Sequence, residues 1–556
     1  MPVVDDIKIG VFLCQCSGQI SNVLSISRIE RAIKKISNVN FVSTSDFPCS
    51  KTGLRQIQSA IKENDLNRIV IAGCSPRLME QVFSKTIAEA GLNSNLVEIA
   101  NIRDHCARVH QKEKGLATTK AIDMIAAAIH KVAQKQPQAK LQQKVTPVVA
   151  VVGGGIAGIS AALSLANRGA KVKLIEKEVQ LGGLLHQINL LYPRDISAQE
   201  FLGEKLQQVR NNSNIEVITG AEVKHIAGAV GNYAVTYSQN SNEMKLQAGA
   251  IIFTAGAQYF YPNGLYQYGS NDSIITQLEF EQMLGQNKLT AREIVFIQCV
   301  GSRNDERPYC ARFCCPTTFK NVLWLKKANP DLKITVIFRG LTEYIREYDE
   351  AMDLGVLFVR YDPKQPPEIQ NNYVYVKDEK TEKEFEIPFD LMVLATPLIP
   401  RHEAKEWSKM LHLPIDEYGF MIEPHIKLRP DRFAPDGIFV AGSVHWPGLI
   451  GDSISQGYSA AARAYSLIQK EIIEREPIVA EIDSEICRGC GRCIEECPFQ
   501  AIAMIEEGNG FQHAEINEFL CKGCGMCAVV CICGAAAVKH LTDRQLGVMV
   551  ENVASY

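Results

Sequence analysis

VVAVVGGGIAGISAALSLANRGAKVKLIEKE, residues 148–178, decides the fold. Its first five residues form an unbroken apolar run, the mark of a strand covered on both faces. Gly153-x-Gly155-x-x-Gly158 follows at once and opens a stretch rich in Ala, Ser and Leu, which predicts a helix. KVKLIEKE then supplies a second strand, with Glu176 about twenty residues after the glycines. Three glycines alone are a weak signal. Strand, glycine turn, helix, strand and acid in this order make a dinucleotide-binding fingerprint. The glycines permit a tight turn and close backbone approach. A pyrophosphate then sits on the helix N-terminus, and Glu176 accepts from a ribose hydroxyl.

The α/β alternation continues outward from this stretch, so residues 148–476 are taken as one domain, with about 291–400 as a second nucleotide-type subdomain. Upstream, IKIGVFLC, NFVSTS, RIVIAGC and LVEIAN read as strands. Helical patterns lie between them near Ser27–Ile36, Leu54–Glu63, Pro76–Ala90 and His105–Val132. Residues 1–133 are therefore predicted to be a small α/β domain with a parallel sheet. Residues 134–147, QKQPQAKLQQKVTP, are polar with two prolines and read as a linker. REPIVAEID leads into a cysteine-rich module at 477–540, and 541–556 form a tail.

The chain has 556 residues, 46% hydrophobic and 22% charged, with Lys+Arg 59 against Asp+Glu 62. That balance excludes a disordered chain and gives no basic surplus for nucleic acid. No apolar run approaches the ~18 residues a membrane span needs. The opening MPVVDDIKIG places two acids before a strand and does not read as a secretory signal. No GxSxG elbow, HExxH or P-loop lysine motif is present.

Eighteen cysteines are the informative count. Without an export signal they point to a reducing, cytoplasmic setting and to metal or redox chemistry. Cys487, Cys490, Cys493 and Cys497-Pro498, then Cys521, Cys524, Cys527 and Cys531, make the two-cluster bacterial ferredoxin pattern. In such modules the fourth cysteine of each run ligates the other cluster. Cys531 then joins Cys487, Cys490 and Cys493, and Cys497 joins Cys521, Cys524 and Cys527. Cys533 is surplus, and the second run reads CICG where a C-P ending is usual. Cys299, Cys310, Cys314 and Cys315 form C-x10-C-x3-C-C. That spacing suits one [4Fe–4S] cluster, and is also open to one zinc ion, a redox-active vicinal pair or free buried thiols. Cys16, Cys49, Cys74 and Cys106, with Cys14 as a fifth candidate, either converge on a cluster at a sheet end or are free buried thiols.

Further motifs narrow the dinucleotide. LGG at Leu181–Gly183 follows the acid, IIFTAGA (Ile251–Ala257) is a strand ending in a small-residue turn, and GIFVAGSV (Gly437–Val444) precedes a helix. This order resembles flavoprotein disulfide reductases of the thioredoxin reductase type, with two dinucleotide-binding halves. The resemblance implies FAD on the first fingerprint. The expected contact set is Gly153, Gly155, Ile156, Ala157, Gly158, Glu176, Lys177, Gly182, Gly183, Leu184, Ala255, Gly256, Gly442, Ser443 and Ser455. That family has another GxGxxG for NADPH in mid-chain. Here the place reads EIVFIQCVGSRNDERPYCARFCC, with a strand but no glycine triad, which argues against a nicotinamide site.

CVGSRNDERPYCARFCC, with FLCQCSG, FPCSKTG, GCSPRLME and NIRDHCARVH upstream, is similar to the A-type subunits of heterodisulfide reductase and their bacterial relatives over nearly the whole chain. The resemblance implies a cluster on Cys299, Cys310, Cys314 and Cys315 beside the FAD, and one in the N-terminal domain on Cys16, Cys49, Cys74 and Cys106. About four [4Fe–4S] clusters result. It implies a lysine near flavin N5, matched by Lys320 in CCPTTFK, and a flavin-proximal acid, matched by Glu279 in ITQLEFE. The inserted ferredoxin domain of the methanogen form is missing. The implied partners are B- and C-like subunits, ferredoxin and an electron-input subunit such as a hydrogenase, formate dehydrogenase or NADH-oxidising module, around a homodimer core. The expected function is electron transfer, with bifurcation at FAD. The alternative is a self-contained NAD(P)H-dependent oxidoreductase resembling the small subunit of glutamate synthase.

Overall fold

The computed structural model describes residues 6–193, 196–341, 345–411, 413–423, 436–475, 477–506, 508 and 510–554. The chain divides into two units, residues 143–473 and a second made of residues 1–142 with 474–556.

In the 143–473 unit, Val148–Val152 is the middle strand of a five-stranded parallel sheet in the order 215–218, 171–175, 148–152, 250–253, 438–440. Its central place explains the unbroken apolar run. Val149 and Val151 pack on one face with the helices Ile156–Ala166 and Ile450–Ile468. Ala150 and Val152 pack on the other face against the antiparallel strands Ala221–Ala229, Asn232–Gln239 and Asn242–Ala248. The plan repeats. A second parallel sheet runs 274–276, 391–394, 293–297, 333–338, 357–360, and Glu368–Gln370, Tyr373–Lys377 and Glu384–Pro388 form its antiparallel meander. Two such halves are the architecture of a two-dinucleotide-binding core.

The other unit opens with a four-stranded parallel sheet, ordered 39–45, 9–14, 68–72, 97–100, as the alternating pattern predicts. Its cysteine-rich part pairs Ala480–Ile482 with Ala536–Val538 and Ile502–Glu506 with Gln512–Ile516. Short helices Arg492–Glu495 and Met526–Val530 sit between the ribbons in a doubled α+β arrangement.

Two features of this unit are not signalled by any sequence motif. The tail forms a helix, Asp543–Ala554, packed on the helix Lys114–Ala133. The start of the proline-bearing segment is tied down: Gln545 Nε2 donates to Gln134 O at 3.2 Å, and His540 Nε2 lies 2.8 Å from Gln136 O. Lys135 Nζ donates to Val97 O and meets Glu98 Oε2, both at 2.7 Å. Among the described residues no helix is long and apolar enough to cross a membrane.

Candidate functional site

A cavity of about 410 Å³ opens at the carboxyl ends of the first parallel sheet, where open α/β sheets take ligands. Thirteen of the fifteen expected contact residues line it: Gly153, Gly155, Ile156, Ala157, Glu176, Lys177, Gly182, Gly183, Leu184, Ala255, Gly256, Gly442 and Ser443. Gly158 lies beneath the floor, where the helix crosses the strand. A Cβ there would stand 1.9 Å from Gly153 O, and one on Gly153 (φ +108°) would stand 2.3 Å from Thr254 O. The backbone cradle therefore exists only with glycine at both positions. Glu176 is buried at the rim, its carboxylate accepting from Gly154 N at 2.5 Å and Glu178 N at 2.9 Å.

Two expected residues are corrected. Ser455 does not line the cavity, since its hydroxyl donates to Gly451 O at 2.9 Å along its own helix, and Ser453 lines it instead. Glu279 is a helix cap rather than a flavin-side acid. Its carboxylate accepts from Thr276 N and Oγ1, each at 2.7 Å, and from Tyr268 OH at 2.9 Å, closing a capping box. The acid that lines the cavity beside Lys320 is Glu281. It meets Lys320 Nζ at 2.6 Å, with the two side chains 3% and 2% exposed. Asn321 Nδ2 and Asn189 N also donate to Glu281, at 2.6 and 2.9 Å, and Lys320 Nζ donates to Leu190 O at 2.7 Å. Lys320 thus lines the cavity as a fixed, buried cation.

The far wall of the cavity, beside Lys177, uses Arg401, Glu403, Trp407 and Met410, none of which carries a sequence motif. Tyr259, Phe313, Thr317 and Lys320 also line the cavity. Cys314 and Cys315 begin the helix Cys314–Ala328 that supplies two of those residues. Burial, above all, drives the Cys314 thiol well above its ordinary range, and Cys315, Cys299 and Cys310 beside it add to the rise. Cys315, Cys299 and Cys310 thus all lie near Cys314, and Cys310 lies near Cys299. Arg303 Nη1 lies 3.9 Å from Cys299 Sγ, and Arg312 N donates to Cys310 Sγ at 3.4 Å. A bound metal's charge would offset the cost of ionising so desolvated a thiol as Cys314. Among the described residues no three Cys, His, Asp or Glu groups converge on a point where one ion would sit.

In the N-terminal domain, Cys14 ends the strand Ile9–Cys14, Cys49 follows Val39–Ser45, and Cys74 follows Arg68–Ala72. Burial is the main reason the Cys14 thiol is pushed up to about 12, with Cys16, Cys74 and Cys49 close enough to contribute. Cys106 does not join them. The π-helical turn Arg103–Ala107 rotates it into the core, where its Sγ lies 3.5 Å from Met124 Sδ, and its charged neighbours are Lys120 and Asp123. Arg103 faces the thiols instead, with Nη1 4.0 Å from Cys16 Sγ. The structure thus gathers Cys14, Cys16, Cys49 and Cys74, and leaves the expected Cys106 apart.

The cysteine-rich part holds two small cavities. Cys487, Cys490, Cys493 and Cys531 line one, and Cys497, Cys521, Cys524 and Cys527 the other. Each run's fourth cysteine sits with the other run. Backbone N–H groups point at the sulfurs: Ala501 N at 3.3 Å from Cys497, and Ala480 N and Gly523 N each at 3.4 Å from Cys521. All-thiol quartets fed by N–H donors fit iron–sulfur clusters.

Comparison with known proteins agrees with both halves. A family profile described as pyridine nucleotide-disulphide oxidoreductase matches residues 147–293, and one described as 4Fe-4S dicluster domain matches 486–535. The chain is 32% identical to the first iron-sulfur A-type subunit of the CoB--CoM heterodisulfide reductase of Methanopyrus kandleri, over 90% of this chain and 91% of that one. It is 30% identical to the A-type subunit of the H(2)/formate:CoB-CoM heterodisulfide,ferredoxin reductase of Methanococcus maripaludis, over 99% of both. Among solved structures, the thioredoxin reductase of T. acidophilum is similar at 20% identity, covering 58% of this chain and 99% of that one with a TM-score of 0.41. Fingerprint, doubled ferredoxin spacing and full-length relatives thus agree on an oxidoreductase that uses FAD and [4Fe–4S] clusters, and the chain belongs to the family of heterodisulfide reductase A-type subunits.

Proposed function

We propose that the protein is the flavo-iron–sulfur electron-transfer subunit of a heterodisulfide reductase-like complex in the cytoplasm. It relays and bifurcates electrons at FAD between a partner donor, ferredoxin and a disulfide-type acceptor subunit. The observation that carries this reading is one shared helix: Cys314 and Cys315 open it, and Thr317 and Lys320 on its next turns line the flavin cavity. FAD supplies exchange between one- and two-electron chemistry, and the clusters carry single electrons.

The chain's own residues bind, orient and polarise. Gly153 and Gly155 bring backbone to the pyrophosphate at the N-terminus of Ile156–Ala166, and Glu176 takes the ribose. Gly442 and Ser443 hold the flavin side. Lys320, locked by Glu281, presents a positive charge that favours negative charge on a neighbouring ring. Cys299, Cys310, Cys314 and Cys315 hold the middle cluster, Cys14, Cys16, Cys49 and Cys74 the N-terminal one, and the two ferredoxin quartets the remaining pair. The breadth of cluster potentials, about −700 to +450 mV, is what makes a split of an electron pair physically accessible. The partners are B- and C-like subunits, ferredoxin and an electron-input subunit, around a homodimer. Relatives of the same type, whose names carry H(2)/formate or ferredoxin/F(420)H(2), support input from a partner.

A dependence on partners is favoured over a nicotinamide reductase by the second nucleotide half. After the strand Glu293–Ile297 the Phe260 ring packs over Gly301, so close that a Cβ on that glycine would lie 2.3 Å from Cε1. The Arg307 guanidinium stacks 4.2 Å from the Phe260 ring centre, and the Tyr361 hydroxyl donates to Gln298 O at 3.3 Å. Side chains fill the ground where a second coenzyme would need open backbone. In an anaerobic titration, NADH and NADPH are expected to leave the flavin absorbance of the purified chain unchanged while dithionite bleaches it. Bleaching by either coenzyme contradicts the reading and favours a self-contained reductase.

A further inference from the structure

Cys533 is the one cysteine of the ferredoxin runs left without a role by the two quartets. It lines the same cavity as Cys487, Cys490, Cys493 and Cys531, and its Sγ lies 3.7 Å from Cys531 Sγ. Residues two apart in an extended strand stand roughly 7 Å apart along the chain. Here a turn closes the gap: Gly534 N donates to Cys531 O at 3.3 Å, and Gly534 takes φ +70°. Both thiols then face the cavity while Ile532 between them is 67% exposed.

The doubled architecture shows that this turn belongs to the fold. In the first run Gln500 N donates to Cys497 O at 3.1 Å, and Gln500 has φ +45°. The position equivalent to Cys533 is Phe499, and Phe499 lines the other cavity. The fold therefore aims the second residue after the fourth cysteine into a cluster cavity in both runs. In one run that residue is an inert ring. In the other it is a thiol beside a thiol.

We propose that Cys533 is an interchangeable ligand for the coordination position that Cys531 takes at the first ferredoxin cluster. The proposal rests on the reading that Cys487, Cys490, Cys493 and Cys531 hold that cluster. In the exchange the iron–sulfur bond to Cys531 breaks, one to Cys533 forms, and the Cys533 proton moves to the Cys531 sulfur. Electrons, charge and thiolate number are unchanged. The cluster thereby keeps four thiolates when one ligand of this corner is lost.

The test is iron per chain, FAD per chain and the EPR spectrum of the reduced, full-length protein purified anaerobically. Cys531→Ala and Cys533→Ala should each retain the wild-type iron content, and the double variant Cys531→Ala/Cys533→Ala should lose four irons. Cys490→Ala, which removes a ligand with no spare thiol placed beside it, should lose four irons alone. Cys531→Ser should give the same g-values as Cys531→Ala, because the side chain at 531 no longer touches iron. Unchanged FAD and unchanged signals from the other clusters show that the variants are folded. Loss of four irons by both Cys531→Ala and Cys490→Ala overturns the exchange and leaves the ligand quartet standing. So do g-values that differ between Cys531→Ser and Cys531→Ala. Full iron in Cys490→Ala overturns the quartet itself, and the proposal with it.

Discussion

Gly158→Ala is expected to yield a folded protein purified largely without FAD. The new methyl group would stand 1.9 Å from Gly153 O and 2.8 Å from Thr254 Oγ1. Neither neighbour can yield alone, because Gly153 is the turn of the cradle and the Thr254 hydroxyl donates to Val152 O and Gly153 O at 2.9 and 2.8 Å. The helix Ile156–Ala166 must then back away from the strand Val148–Val152, carrying the N–H groups meant for the pyrophosphate with it. Overpacking of this kind costs about 1–3 kcal/mol. Taken from binding, that weakens FAD roughly 5- to 140-fold at about 1.4 kcal/mol per decade. Gly203→Ala is the control: it sits in the helix Ala198–Arg210 with nothing within 4 Å of the added Cβ, and should retain its flavin. Flavin absorbance per chain, with iron content as the reference for folding, reads the result. Full flavin in Gly158→Ala would contradict the assigned cradle.

Lys320→Met carries the second large effect, in two separable parts. It strands Glu281, whose side chain is 3% exposed, without its cation. Breaking a buried pair on one side typically costs about 3–5 kcal/mol, so thermal unfolding of this unit should come markedly earlier. It also removes the positive charge from the cavity wall. A reduced, negatively charged flavin loses that support, and the bound FAD becomes harder to reduce by about 30–60 mV, the two-electron equivalent of ~1.4–2.8 kcal/mol. Lys320→Met/Glu281→Gln tests both parts. Neutral glutamine removes the stranded negative charge, so stability should recover and the potential should rise part of the way back, because one charge of each sign has then left the wall. An unchanged potential in Lys320→Met alone would mean that Lys320 acts only through packing.

The sequence already held most of the architecture, because its signals are local. An apolar run broken by Gly153-x-Gly155-x-x-Gly158 specifies strand, turn and helix by sterics, and the ferredoxin pairing follows from cysteine spacing alone. The misplacements arose where a side chain's role depends on residues distant in sequence. Glu279 lies in Thr276-Gln-Leu-Glu279, a capping-box pattern legible in the chain, which competes with any role at the cavity. Glu281 is three residues from both Leu278 and Leu284, and so on the buried face of its helix, an unusual place for an unpaired acid. Its partner lies thirty-nine residues away and cannot be seen from spacing. Cys106 reads like its neighbours in sequence, but one π-helical turn aims it at Met124 instead of the thiols. Arg401 and Trp407 reach the cavity only through the tertiary fold.

Iron and FAD, counted together on the anaerobically purified chain, test the central claim most directly: a flavin flanked by iron–sulfur clusters on its own polypeptide. One FAD with roughly sixteen irons, from four clusters of four, is the expected result, with four fewer irons and the same FAD in Cys314→Ala. One FAD with eight irons in the wild type, unchanged in Cys314→Ala, would contradict the account by leaving clusters only in the ferredoxin module.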